Sequence, residues 1–239
     1  MASDEFNFND DVETIEEALE EKETGRIEAF SDGVFAIATT LLILEIQVPL
    51  QTDGSPLPNA GALLSSLQAQ WPHYLAYVMG FSTIVIMWIN HHGLFRLIRR
   101  STHGLLLWNS FLLFVITVVP LPTALVAEYL SPLDDDRARL VLMIYSGWGV
   151  VIALGYNALW WYMSGNNRLI NRNADPADVR AVTQAYFFGP ILYLVGLLAA
   201  IWSAPLSLAA NLLLAVFFAL PSRVQGSLAA TVKRGKGGG

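Results

Sequence analysis

Residues 26–49 read RIEAFSDGVFAIATTLLILEIQVP, an apolar run that carries a carboxylate, Asp32, near its start. A run of roughly 20 apolar residues is long enough to cross the hydrocarbon core of a bilayer as a helix. Asp32 lies about one and a half turns inside that run, where an isolated carboxylate is costly. It must therefore face other helices or water, and be either protonated or hydrogen-bonded. The stretch predicts a membrane helix with one polar side.

Hydropathy extends this prediction to the whole chain, of which 54% is hydrophobic and 14% charged over 239 residues. That composition is too apolar for an ordinary soluble domain of this length. Six stretches are long and apolar enough to span a bilayer: 27–48, 73–95, 104–127, 140–163, 181–202 and 206–220. We predict an all-α integral membrane protein with six transmembrane helices, multi-pass in the cell membrane. The chain has no cysteine, which excludes disulfides and thiolate metal sites.

Basic residues are unevenly distributed between alternate connections, and Lys and Arg accumulate on the cytoplasmic side of membrane proteins. One side holds 12 of the 14 basic residues: Lys22, Arg26, Arg96, Arg99, Arg100, Arg168, Arg172, Arg180, Arg223, Lys233, Arg234 and Lys236. The other side holds Arg137 and Arg139. Both termini are therefore expected in the cytoplasm, which requires an even number of spans.

Three regions are predicted along the chain. Residues 1–25 form an acidic cytosolic segment, residues 26–223 the six-helix transmembrane domain, and residues 224–239 a basic, glycine-rich cytosolic tail. Within the membrane domain, Pro120, Pro122 and Pro190 predict kinks. Ala204-Pro205 is a helix-start signal that predicts a very tight hairpin between the last two helices.

The first apolar helix has two distinct faces. At about 100° per residue, Ile37, Leu41 and Leu44 form one narrow apolar stripe, and Asp32 lies about 140° away from it. If Ser31 and Asp32 face the bundle, the stripe faces a symmetry axis, lipid or another helix. Periodicity alone leaves these alternatives open, and simple packing of the stripe is one of them.

Several polar side chains in the next two spans are placed at the depth of Asp32. They are Trp88, Asn90, His91 and His92 in the second span, and Trp108 and Asn109 in the third. Indole, imidazole and amide donors are what a buried carboxylate needs. Adjacent histidines point about 100° apart on a helix, so we expect hydrogen-bonded core histidines and no metal site. Asp32 itself is either a functional group or a structural anchor.

Other classes of membrane protein are less well supported by the residues. An enzyme would need a nucleophile or a metal constellation at membrane depth, and the sequence shows none beyond the cluster of Asp32, the two histidines and Asn109. A transporter would be expected to show paired broken helices in two related halves, and we find no internal repeat. We therefore expect no enzymatic activity and no cofactor.

A family resemblance follows from the motif at Arg26, Phe30, Ser31 and Asp32 and from its continuation GVFAIATTLLILEI. Together with WINHH at 88–92, WN at 108–109 and PLP at 120–122, it resembles the signature of the transmembrane protein 175 family. The resemblance is strong over the first three helices. The remaining helices agree only in number and hydropathy.

This resemblance implies a potassium-permeable cation channel, a homotetramer in which the first helix of each subunit lines one pore. It implies a hydrophobic constriction at Ile37, the fifth residue after Asp32, which Leu41 and Leu44 continue outward beside a threonine layer at Thr40. It also implies that Ser31 and Asp32 bond to Trp88, Asn109 and either His91 or His92. The expected partners are potassium ions and the lipid bilayer, with no nucleic acid.

Two further points stay open at this stage. Glu45, near the outer end of the first helix, either raises the local cation concentration or simply ends the helix at the interface. The alternative function is a proton-conducting channel or a membrane transporter that uses Asp32 and the histidines.

Overall fold

The computed structural model of the protein describes residues 8–165, 169–171 and 174–219, and this part of the chain is built from helices. The helices are α1 Phe8–Leu41, α2 Ala60–Ala69, α3 Trp71–Phe95, α4 His103–Thr117, α5 Pro120–Tyr129, α6 Asp136–Ser164, α7 Pro176–Trp202 and α8 Ala204–Ala219. A short 3-10 helix, Leu42–Glu45, continues α1. The all-α prediction is confirmed.

Five segments of the described chain are long and apolar enough to cross a membrane. They are Glu23–Glu45, Trp71–Phe95, His103–Tyr129, Asp136–Ser164 and Pro176–Trp202. They correspond to the first five predicted stretches. The sixth stretch overlaps α8, which has 16 described residues. A helix of that length is about 24 Å long, shorter than the bilayer's hydrocarbon core of about 30 Å. Residue 220 lies outside the described residues.

The first connection and the first helix differ from their sequence-based descriptions. The helix α1 begins at Phe8 and continues through Gly25 into the membrane span without interruption. The connection between the first two spans contains α2, which the sequence did not predict and which starts where the Asn59 side chain accepts the Ala62 N–H. The boundary between the acidic segment and the membrane domain therefore lies within one helix.

The prolines of the third span interrupt it as expected. Because Pro120 has no N–H, the Ile116 carbonyl accepts the N–H of Val119 instead. The same shift occurs before Pro122, where the Val118 carbonyl accepts the Leu121 N–H. The span is consequently divided into α4 and α5.

The last two helices form the predicted tight hairpin, with Ser203 alone between α7 and α8. The helix α7 continues through Pro190, which leaves the Tyr186 carbonyl without its usual helical donor. Asn157 of α6 donates its Nδ2 to that carbonyl at 2.7 Å. A side chain from the neighbouring helix thus satisfies the group that the proline frees.

The two basic connections meet at one end of the bundle. The Arg99 N–H donates to the Leu169 carbonyl, and the Asn171 N–H donates to the Leu97 carbonyl. Ser101 donates to Glu23 of α1 at the same end, 2.7 Å away. Connections that the charge pattern places on one side of the membrane therefore lie together.

The C-terminal end of α1 is held by a close approach of helices. A Cβ added at Gly80 of α3 would lie 2.8 Å from Cγ2 of Thr123 in α5 and 3.1 Å from Cδ2 of Leu42. These distances leave no room for a side chain, so glycine lets the three elements meet. Leu42 and Thr123 are both fully buried there.

Candidate functional site

One face of α1 packs against α3 and α4. It consists of Ser31, Phe35, Ala38 and Leu42, which follow one another at helical spacing and are all buried. The Phe35 ring meets the imidazole of His91 edge-on, with centroids 5.4 Å apart. Periodicity alone does not distinguish this face from the stripe that contains Ile37, because the two have the same spacing.

A buried polar chain joins α1, α4 and α3. Asn109 donates its Nδ2 to the Ser31 hydroxyl at 3.0 Å, and Ser31 donates to the Ile27 carbonyl at 2.8 Å. The amide oxygen of Asn109 lies 2.8 Å from Nε2 of His91. Since that oxygen can only accept, the proton of the neutral imidazole is on Nε2. Ser31, His91 and Asn109 thus form one connected unit.

Asp32 belongs to a separate contact. Its Oδ1 accepts the indole N–H of Trp88 at 2.8 Å, and the carboxylate is half-buried. The neighbouring His92 lies 2.5 Å from Glu28 of α1. The expected set of partners is therefore divided: Trp88 bonds to Asp32, while Asn109 bonds to Ser31 and His91 bonds to Asn109.

Other predicted residues lie outside these contacts. Trp108 is exposed and packs edge-on against Phe111, and Asn90 donates to the Ile86 carbonyl of its own helix. Arg26 and Phe30 are exposed on α1 and line an open cleft beside α4. The structure therefore does not bring these four residues to Asp32.

The stripe on the opposite side of α1 is exposed. Ile37 is 63% exposed, Leu41 44% and Leu44 71%, so none of the three packs fully against its own subunit. Thr40 lies beside them, also exposed, and donates to the Ile37 carbonyl at 2.9 Å. The described part of the chain therefore does not cover the stripe, and a symmetry axis, lipid and another helix remain as the surroundings that it can face.

A small polar cluster lies at the C-terminal end of the first span. Glu45 is half-buried and lies within electrostatic range of His73 and Glu128. Nε2 of His73 is 3.6 Å from the Glu128 carboxylate, to which Gln47 donates at 3.4 Å. Among the described residues, no group of three histidine, aspartate or glutamate side chains could hold a metal ion.

Comparison with known sequences identifies the family. The family of the endosomal/lysosomal potassium channel TMEM175 matches residues 26–120. A potassium channel of Chamaesiphon minutus is 46% identical over 206 residues, covering 86% of this chain and 98% of that protein. A potassium channel of Streptomyces collinus is 43% identical over 196 residues, which are 82% of this chain and 91% of that one. The human endosomal/lysosomal proton channel TMEM175 is 40% identical over 117 residues, 48% of this chain and 23% of that protein.

Solved structures give the same assignment. The crystal structure of a lysosomal potassium-selective channel TMEM175 homolog from Chamaesiphon minutus superposes with a TM-score of 0.72 at 44% identity, covering 84% of this chain and 98% of that one. The potassium channel MtTMEM175, at 19% identity and a TM-score of 0.54, shares the fold. The protein is therefore a multi-pass membrane protein of the TMEM175 family, which is a family of ion channels and not of enzymes.

Proposed function

We propose that the chain forms a potassium-permeable cation channel whose pore is lined by the first helices of four identical subunits. The observation that carries this proposal is the division of α1 into two faces. One face is fixed to α3 and α4 by Ser31, Asn109 and His91. The other face presents Ile37, Leu41 and Leu44 away from the subunit.

Assembly follows from the number of such helices. One chain has one α1, which cannot enclose a pore, whereas four copies around an axis bring the exposed stripes together. The relatives named as potassium channels support potassium permeation. Each subunit would contribute six membrane helices with both termini in the cytoplasm, α8 being the short sixth one.

The constriction would act by exclusion of water. A ring of Ile37 side chains offers an ion no oxygen to coordinate, so a narrow ring blocks ions by dewetting. When the ring widens, hydrated or partly hydrated ions pass, and selectivity is modest because no carbonyl filter lines the path. Potassium sheds its water more easily than sodium, which sets the direction of the preference. Thr40 would supply a polar layer next to the ring.

Glu45 would act at the outer mouth. Its carboxylate lies at the end of the 3-10 helix that continues the pore helix, where a negative charge attracts cations. Ser31 and Asp32 would act differently, by fixing how α1 is rotated about its own axis. In this proposal the motif sets which face of α1 meets the pore.

A proton pathway through Asp32 and the histidines is less well supported. Within the described hydrogen bonds, Asp32 is joined to Trp88, whereas His91 is joined to Asn109 and His92 to Glu28. An indole N–H donates but does not accept, so Trp88 is a poor proton relay. The human relative is named a proton channel, so proton flux should be measured beside potassium and sodium flux.

The test is reconstitution of the full chain into liposomes, with ion flux and reversal potentials measured in potassium, sodium and pH gradients. We expect potassium flux larger than sodium flux and reversal potentials that follow the potassium gradient. Native mass measurement in lipid should give a tetramer. A monomer or dimer, or reversal potentials that follow only pH, would overturn the proposal.

A further inference from the structure

We propose that α2 is a membrane-surface helix, whose apolar face is inserted at the boundary between the lipid headgroups and the acyl chains. The helix lies between the first two spans, with Gln70 alone between it and α3. Pro72 has no N–H to donate to the turn before it, which favours a break between α2 and the span. Both helices meet at the end of α3 that lies opposite the basic connections.

The helix α2 is amphipathic. Ala60, Leu63, Leu64 and Leu67 follow one another at helical spacing and form one apolar face, which we call the leucine face. Ser65 lies on the other side of the helix. The helix contains no lysine, arginine, aspartate or glutamate. It would therefore bind a membrane through buried apolar area, without electrostatic attraction to anionic lipids.

The described part of the chain does not cover the leucine face. Leu63 is 42% exposed, Leu64 58% and Leu67 36%, and no residue of α2 is buried. Leaving several leucine side chains in water forgoes the favourable free energy of burying them. The leucine face is therefore available to a partner outside the subunit.

The second span sets the depth of α2. The 25 residues of α3 are about 38 Å long as a helix, which exceeds the hydrocarbon core of about 30 Å. Its far end is followed by Arg96, a charged residue that belongs outside the hydrocarbon. Trp71 begins the span and is exposed, as is typical of tryptophan in the interfacial region. Since one residue separates Trp71 from α2, the leucine face begins close to the same region.

The rest of the connection is also poor in charge. Residues 46–70 contain one charged residue, Asp53, whereas about 25% of residues are charged in an average soluble domain. Val48 and Leu50 are exposed there as well. Lipid is the partner that fits, because it surrounds a multi-pass protein and requires no charged group to recognise it. This inference goes beyond the proposed function and does not depend on it.

The test uses the absence of cysteine from the chain, which lets one introduced thiol be labelled specifically. The full-length protein is placed in phosphatidylcholine nanodiscs, with an environment-sensitive NBD fluorophore attached at Leu64→Cys or at Ser65→Cys. We expect the emission of the Leu64→Cys label to shift to shorter wavelength and to be quenched by 5-doxyl phosphatidylcholine. The Ser65→Cys label, one position away on the polar side, should emit as in water and be quenched by iodide.

Two further variants test what holds the helix at the surface. Leu63→Ser with Leu67→Ser, in the Leu64→Cys background, should reverse the emission shift, because it removes the apolar area. Ala69→Ser, on the polar side, is the matched control and should leave the shift unchanged. Adding phosphatidylglycerol should not enlarge the shift, since α2 carries no charge.

Three results would overturn the inference. A Leu64→Cys label that iodide quenches would place the leucine face in water. A shifted label that neither quencher reaches would show that a neighbouring subunit covers this face. A shift that requires phosphatidylglycerol would mean that charge, and not apolar area, holds the helix. None of these measurements needs conduction, so a failure here and a failure of the channel proposal give different results.

Discussion

Replacing Asn109 by leucine tests the contact that fixes the rotation of α1. Asn109 is 2% exposed, donates to Ser31 at 3.0 Å and accepts from His91 at 2.8 Å. Leucine has the same branching and the same number of heavy side-chain atoms, so Asn109→Leu removes both hydrogen bonds without opening a cavity. The change therefore isolates the polar contribution of this contact.

The expected loss of stability follows from the buried groups that lose their hydrogen-bond partners. His91 is fully buried, and within the described chain its Nδ1 has no partner, so the ring would lose its remaining hydrogen bond. A stranded buried group costs about 1–3 kcal/mol, and the lost bond to Ser31 adds about 0.5–1.5 kcal/mol. We expect Asn109→Leu to lower the free energy of unfolding by about 2–4 kcal/mol. The unfolding midpoint should fall by on the order of 10 °C.

The assay is thermal unfolding of the purified protein in detergent, followed by tryptophan fluorescence. Asn90→Leu is the matched control, because Asn90 bonds only to a carbonyl of its own helix among the described contacts. The double variant with His91→Leu should be less destabilised than the sum of the single changes by about 1 kcal/mol or more. A midpoint within about 2 °C of wild type for Asn109→Leu, or strict additivity, would refute the reasoning.

Two further substitutions test the fold around α1. Asp32→Ala leaves the Trp88 indole without its acceptor at membrane depth, so it should reduce the yield of tetramer in native mass measurement. The potassium-to-sodium flux ratio of the channels that do assemble should be unchanged. Assembled channels with an altered flux ratio would show that the carboxylate lines the pore. Gly80→Ala should lower the free energy of unfolding by about 1–3 kcal/mol, because the added methyl group overpacks against Thr123. Gly93 has open space around it, so Gly93→Ala should leave the free energy of unfolding unchanged or raise it by up to about 1 kcal/mol. Equal thermal stabilities of the two glycine variants would contradict the close approach of α3 and α5.

Much of the fold could be predicted because a bilayer imposes its own length on helices. Apolar runs of membrane length located the spans, and proline chemistry located the break at Pro120 and the hairpin at Pro205. The helix α2 was missed, since ten residues outside the membrane spans carry no such length signal. The continuity of α1 from Phe8 was missed as well, because hydropathy changes at Gly25 while the backbone does not.

The sequence could predict the polar residues that join α1 to α3 and α4, but not which of these residues bond to each other. Adjacent positions on a helix differ by about 100°, so the rotation of α3 decides whether His91 or His92 faces the bundle. Packing sets that rotation: the His91 ring meets Phe35 edge-on and stacks on Phe95, with centroid distances of 5.4 and 4.4 Å. The periodicity of α3 alone does not indicate which of the two histidines faces the bundle.

The most direct measurement of the central claim is potassium and sodium flux through Ile37→Asn channels in liposomes. Loss of branched apolar bulk from every subunit removes both the steric block and the dewetting barrier, so basal flux should rise and the preference for potassium should fall. Ile144→Asn, the same change at an exposed isoleucine of α6, is the matched control and should conduct like wild type. If tetrameric Ile37→Asn channels show the flux and ion preference of wild type, Ile37 does not form the constriction and the proposed pore is wrong.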